Sequence, residues 1–149
     1  LLIMAMQYIK RKDIFLLIVG DGPEREKLKT LSTSLGVSEK VKIIGNVPHT
    51  QIHNIYNCAD IYCHPSIGEE AFGISIAEAM ASGIPVVGTD RGAVPEVIGN
   101  IGIVVEPEPR LIASSISTLL ESKNNLGIKA RERVLNLFSW DKEYLLNKS

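Results

Sequence analysis

The sequence predicts an α/β fold, a Rossmann-like parallel sheet with helices on both faces, on three observations. Short apolar runs recur, longer amphipathic stretches lie between them, and the two alternate from end to end. The apolar runs show no polar alternation, which is how strands buried on both faces read. At 149 residues the chain fits one domain, large enough to bury close to 70% of the surface its unfolded form exposes.

Five runs qualify as strands: 15–19, 41–44, 61–63, 85–88 and 102–105. Helical patterns fill 23–35, 50–57, 72–81, 94–98 and 109–122. The tail, 126–138 and 140–147, reads as two more helices, with Ser139 placed to cap the last. The opening Leu-Leu-Ile-Met-Ala-Met has no basic n-region and no cleavage site, so it reads as the end of a helix rather than a signal peptide. The first residue is Leu, not Met, and the chain is read as one domain, 1–149, truncated at its N-terminus.

Hydrophobic residues make up 45% and charged residues 22%, ordinary values for a soluble domain. Sixteen basic against seventeen acidic side chains leave a formal charge of −1. No field of that size steers a chain toward nucleic acid or anionic lipid. Lys10-Arg11-Lys12 reads as a solvated surface group. Cys58 and Cys63 are too few for a disulfide scaffold and lack metal-ligand spacing, which points to a reducing, cytoplasmic setting. No apolar run reaches the roughly 18 residues that cross a bilayer.

In doubly wound sheets ligands bind beyond the carboxyl ends of the strands. The first such loop is Gly20-Asp21-Gly22-Pro23, followed by Glu24 and Glu26. Its glycines, and a Pro at the first helical position, explain a tight turn. Three acids would repel a phosphate, so the loop reads as structural. The segment His64 to Met80 is more informative. It leaves a strand and opens a helix whose first residues, Ala71, Phe72 and Gly73, cannot cap it with their side chains. Unpartnered N–H groups and the helix dipole there favour an anion, and a diphosphate fits. Gly73 clears room for its approach. Glu70 precedes this helix, and Glu78 lies roughly 8–10 Å along it, where a carboxylate suits sugar or ribose hydroxyls. Taken alone, the two acids read better as a capping group and a solvent-facing side chain than as a sugar-binding pair.

The run Pro65-Ser66 … Glu70-Ala71-Phe72-Gly73 … Glu78-Ala79-Met80-Ala81-Ser82-Gly83-Ile84-Pro85-Val86-Val87 closely resembles the E-x7-E signature of family 4-like retaining glycosyltransferases, enzymes of the two-domain GT-B architecture. Thr89-Asp90-Arg91-Gly92-Ala93-Val94-Pro95-Glu96-Val97-Ile98 resembles the family's next loop and short helix. Upstream, Val19-Gly20-Asp21-Gly22-Pro23 and Ile44-Gly45-Asn46-Val47-Pro48 are similar to family segments in the same order.

The resemblance implies a C-terminal, donor-binding half. Glu70 would hold the transferred sugar and help stabilise its developing cation. The backbone at Ala71, Phe72 and Gly73 would hold the diphosphate, Glu78 the ribose, and the loop at Asn46 and Val47 the nucleobase. It also implies a UDP- or GDP-linked sugar donor, no metal or other cofactor, and an acceptor bound through an N-terminal domain. Peripheral membrane attachment would come through that other half. Ala93 departs from the family's more common Gly. The family's Gly-Arg strand and following Lys, which neutralise the leaving diphosphate, lie upstream of Leu1. The chain alone is therefore expected to bind donor weakly and to transfer nothing.

Other residues invite other readings. His49 and His53, four apart, suggest a metal pair without a third ligand. His64 suits a site-lining or a core role equally. Asp60 reads as a local backbone hydrogen-bonder and Trp140 as a packing residue. Paired carboxylates also serve glycoside hydrolysis, which needs no diphosphate site. A dinucleotide oxidoreductase would need G-x-G-x-x-G, absent at each strand end. A nucleotide-binding domain without transferase activity remains the alternative.

Overall fold

The computed structural model describes residues 1–69, 71–122 and 125–138. Among these, five short parallel strands alternate with helices: β1 (Leu16–Ile18), β2 (Val41–Ile43), β3 (Tyr62–His64), β4 (Val86–Thr89) and β5 (Ile103–Val105). The helices are α1 (Leu2–Ala5), α2 (Arg25–Ser34), α3 (His49–Asn57), α4 (Ile74–Ala81), α5 (Val94–Ile98), α6 (Pro109–Glu121) and α7 (Leu126–Leu137). Each strand run of the sequence is present, displaced by a residue or two at its ends. Glu70, Ser139 and the expected helix at 140–147, with Trp140, lie outside the described residues.

The strands divide into a two-stranded sheet, β1-β2, and a three-stranded sheet, β3-β4-β5. Leu16 pairs with Val41 and Ile18 with Ile43 in the first; His64 aligns with Gly88, and Thr89 with Val105, in the second. The sequence predicts one sheet, but β1 and β3 do not pair.

Two apolar clusters hold the helices. One gathers Ile76, Ala79 and Met80 of α4 with Val94, Val97 and Ile98 of α5, and Ala130 and Val134 of α7. The other joins α1 and α6 to residues of both sheets, among them Leu16, Val41, Val87 and Ile103. Ile76 is fully buried, and burial of a side chain that size contributes about 1.5–3 kcal/mol. A Cβ on Gly88 would lie 2.7 Å from Val94 Cγ1, so glycine is what lets α5 lie on β4.

Local chemistry ends the elements. Gly83, at φ 77, closes α4: its N–H bonds to Met80 O at 2.9 Å, and that of Ile84 bonds to Ala79 O at 3.2 Å. This is the two-bond terminus a glycine after a helix forms. Glu108 caps α6, accepting from the N–H groups of Arg110 and Leu111 at 3.1 Å each. Pro23, expected inside a helix, instead sits in the turn before α2, whose N-cap is Glu24.

Candidate functional site

β3 ends at His64, and the chain then crosses its carboxyl end in a loop that returns at Gly73. Thr89, 1% exposed at the end of β4, fastens this loop: its hydroxyl lies 2.6 Å from Ser66 O and 3.3 Å from His64 O. Ser66 turns the loop by donating to Gly68 O at 3.0 Å. Two adjacent strand ends thus set where the next helix begins.

That beginning differs from the expected one. The sequence places the helix start at 72; the structure places it at Ile74, with Gly73 as N-cap at φ 73, ψ 59. A left-handed residue cannot continue a helix, and a side chain there costs roughly 1–2 kcal/mol. Ala71 and Phe72 are therefore pre-helical and exposed, with the Phe72 ring edge-on to Phe138 at 5.3 Å. Gly73 is buried. Its carbonyl accepts from Ile76 N at 2.9 Å and from Ala77 N at 3.4 Å. Ile74 and Ser75 carry the first-turn N–H groups that α4 itself leaves without an acceptor. The amides at the positive dipole end of α4 are thus those of 74 and 75. Glu78 lies four residues into the helix, roughly 6 Å along its axis, closer to the start than the sequence reading put it.

Glu78 is half-buried and held. The Tyr56 hydroxyl lies 3.1 Å from its Oε2 and 3.3 Å from Ser75 O. Burial first, then Tyr62 and the Glu78 carboxylate, push the Tyr56 phenol well above its ordinary pKa, so it stays a proton donor. Tyr62, edge-on to Tyr56 at 5.9 Å, donates to Ser75 Oγ at 2.9 Å and lies 3.3 Å from His64 Nδ1. Half-buried His64 thus lines the loop and packs on Tyr62, joining both roles the sequence left open. The sequence reading missed Tyr56, Tyr62, Ser75 and Thr89; a tyrosine on the last turn of one helix carries no local sign that its hydroxyl meets a glutamate 22 residues away.

The Gly20–Pro23 turn is built differently. Gly20 N donates to Gly45 O at 2.7 Å, Asp21 N to Asn46 Oδ1 at 3.1 Å, and Gly22 N to Asp21 Oδ1 at 2.9 Å. Asp21 also pairs with Arg25 at 3.2 Å. Amides a phosphate would use are already occupied. Asn46 therefore belongs to this turn by its hydrogen bond; it is exposed and Val47 half-buried, and among the described residues neither bonds to the start of α4.

His49 and His53 are both exposed on α3. Asp60, expected to bond its neighbours, is exposed and makes no hydrogen bond among the described residues. The cysteines divide. Cys58 is exposed, while desolvation pushes the Cys63 thiol up to about 12. Arg91, the cation after β4, is held by Glu106 at 3.2 Å. No helix of the described residues is long and apolar enough to cross a membrane.

A family model described as "Glycosyl transferases group 1" matches residues 1–134. The phosphatidylinositol N-acetylglucosaminyltransferase gpi3 subunit of Schizosaccharomyces pombe is 32% identical, over 83% of this chain and 28% of its own. A GDP-mannose-dependent alpha-(1-6)-phosphatidylinositol monomannoside mannosyltransferase of Mycolicibacterium smegmatis is 30% identical, over 94% of this chain and 40% of its own. Among solved structures, the Anabaena HepE complex with UDP-glucose superposes with a TM-score of 0.85 at 27% identity, covering 93% of this chain and 40% of that one. The chain thus spans well under half the length of these relatives.

Proposed function

This chain belongs to the glycosyl transferases group 1 family, and from that premise we propose that it is the donor-binding half of a retaining glycosyltransferase using a UDP- or GDP-linked sugar. The observation that carries the reading is the start of α4. A left-handed, buried Gly73 opens a helix at a strand's carboxyl end, with Glu78 one turn in and anchored by Tyr56. A diphosphate at the Ile74 and Ser75 amides puts its negative charge at the helix's positive end without requiring a basic side chain. Ala71 and Phe72 form the backbone approaching that diphosphate, and Gly73 leaves it room. Glu78, one turn further, accepts from the ribose hydroxyls. The role given to Glu70, holding the transferred sugar and stabilising positive charge at its anomeric carbon, rests on the signature it shares with the family. Asn46 and Val47 form the edge facing the nucleobase.

In the reaction the anomeric carbon–oxygen bond to the diphosphate breaks and one to the acceptor oxygen forms on the same face. The acceptor proton passes to a base. Stabilising the departing diphosphate is the main electrostatic task. The amides of α4 supply part of it; Arg91, the cation after β4, is turned toward Glu106 at 3.2 Å. The acceptor site and the remaining cations belong to a part of the protein outside these 149 residues, consistent with relatives more than twice as long. The isolated chain then binds donor weakly and transfers no sugar. In this reading the amides of α4 and cations outside these residues together take the role a metal ion would have, so no metal is expected.

One relative is described as GDP-mannose-dependent and one similar structure is a complex with UDP-glucose, so the base stays with the proposal as either. Saturation-transfer NMR with UDP, GDP, their sugars and NAD, with and without EDTA, tests the reading. Signal transfer from one nucleoside diphosphate family, unchanged by EDTA and absent with NAD, is expected. Binding of NAD in preference to both diphosphates, or binding that EDTA abolishes, would overturn it.

A further inference from the structure

We propose that Tyr56 is a positioning residue whose hydroxyl holds the Glu78 carboxylate in the orientation that presents its other oxygen to a vicinal diol. This rests on the assignment of Glu78 to the ribose made above. Tyr56 is 8% exposed at the end of α3, within the cluster that includes Ile76 and Ala79. Its oxygen lies 3.1 Å from Glu78 Oε2 and 3.3 Å from Ser75 O. One hydroxyl carries one proton, and a carboxylate is a stronger acceptor than a neutral carbonyl. The shorter contact is to the carboxylate, as that ranking requires.

Among the described residues, Tyr56 is the one whose side chain hydrogen-bonds this carboxylate. A half-buried glutamate otherwise samples several rotamers, and freezing it on binding costs part of the affinity gained. Here the freezing is done beforehand. The anchor is itself locked, because the Tyr56 ring meets Tyr62 edge-on at 5.9 Å and Tyr62 donates to Ser75 Oγ at 2.9 Å. Ser75 carries a first-turn amide of α4, so one network joins the anion end of the site to its diol end. With Oε2 engaged by Tyr56, Oε1 is left to accept from the ligand.

The test compares UDP with 2′,3′-dideoxyuridine diphosphate, titrated by NMR into the wild-type chain and into Tyr56→Phe, Glu78→Asp and Glu78→Gln. The wild type is expected to prefer the ribonucleotide by about tenfold or more, the scale of hydrogen bonds to a charged acceptor. Tyr56→Phe keeps the ring and its packing, so affinity for the dideoxy ligand stays while the ribose preference falls about fivefold, by the same scale. Glu78→Asp, which draws the carboxylate one methylene back from an intact Tyr56, loses the preference likewise. A general packing role for Tyr56 would instead weaken both ligands equally, and that result overturns the proposal. Preference kept in Tyr56→Phe or in Glu78→Asp, yet lost in Glu78→Gln, overturns it while leaving Glu78 on the ribose. Preference unchanged in Glu78→Gln, or absent from the wild type, removes the ribose assignment itself and the proposal with it.

Discussion

Two glycine-bearing turns lead from a strand into a helix in this chain, and they end in opposite electrostatic states. After β1, the turn at Gly20–Pro23 consumes its own amides: Gly45 O, Asn46 Oδ1 and Asp21 Oδ1 accept from three successive N–H groups. After β3, the loop closed by Gly73 starts a helix whose Ile74 and Ser75 amides the helix leaves without acceptors. Glycine content does not distinguish them. What does is where each amide hydrogen goes, and whether the glycine adopts a conformation that aims the next amides outward.

The strongest way to break this contrast is to place side chains on the two glycines. Gly73→Val puts a β-branched residue at φ 73, expected to cost about 1–2 kcal/mol of stability and to remove detectable nucleotide binding. Gly22→Ala, where an added Cβ meets nothing within 4 Å and φ is not positive, is expected to leave both unchanged. Thermal melts and NMR titration of the pair read the difference. Equal behaviour of the two variants would erase the distinction between the turns.

A smaller effect comes from the strand beneath the second turn. The Cys63 thiol, raised from 9.0 to about 12 by desolvation, loses its proton first in the unfolded chain. Its contribution to stability is therefore complete below pH 9 and declines as pH climbs toward 12. Roughly 1 kcal/mol is lost by pH 10, at 1.36 kcal/mol per unit. Denaturant titrations of wild type and Cys63→Ala at pH 8 and pH 10 should show this increment in the wild type alone. Alkylation of the folded chain should reach exposed Cys58 and spare Cys63.

The smallest effect sharpens the contrast from the other side. Asp21 and Arg25 pair at 3.2 Å on the surface, and exposed pairs contribute about 0–1 kcal/mol. Asp21→Asn keeps the turn's oxygen acceptor and removes a negative charge, so melts should shift little and UDP affinity not at all. A marked gain in affinity would show that the first turn also meets the phosphates.

Much of this is legible in the sequence. Apolar runs located every strand to within a residue or two, but burial on both faces holds throughout β4 alone among the described strands: Leu17 of β1 and Lys42 of β2 are exposed, because the two-stranded sheet is covered less completely. The helical pattern ended at Ala81, where α4 ends, and the block from Pro65 to Val87 carried the family. The start of α4 was misplaced by two residues, since neither Ala71 nor Phe72 shows locally that Gly73 will turn left-handed.

By itself, then, the sequence determined the alternation of strands and helices and carried the family, because periodicity and residue type are properties of neighbours along the chain. Tertiary structure alone decided that Tyr56 reaches Glu78, that Tyr62 reaches Ser75, and that Asn46 satisfies Asp21. Hydrogen bonds between residues 13 to 25 positions apart depend on how helices and loops pack over strand ends, and no local pattern encodes that distance.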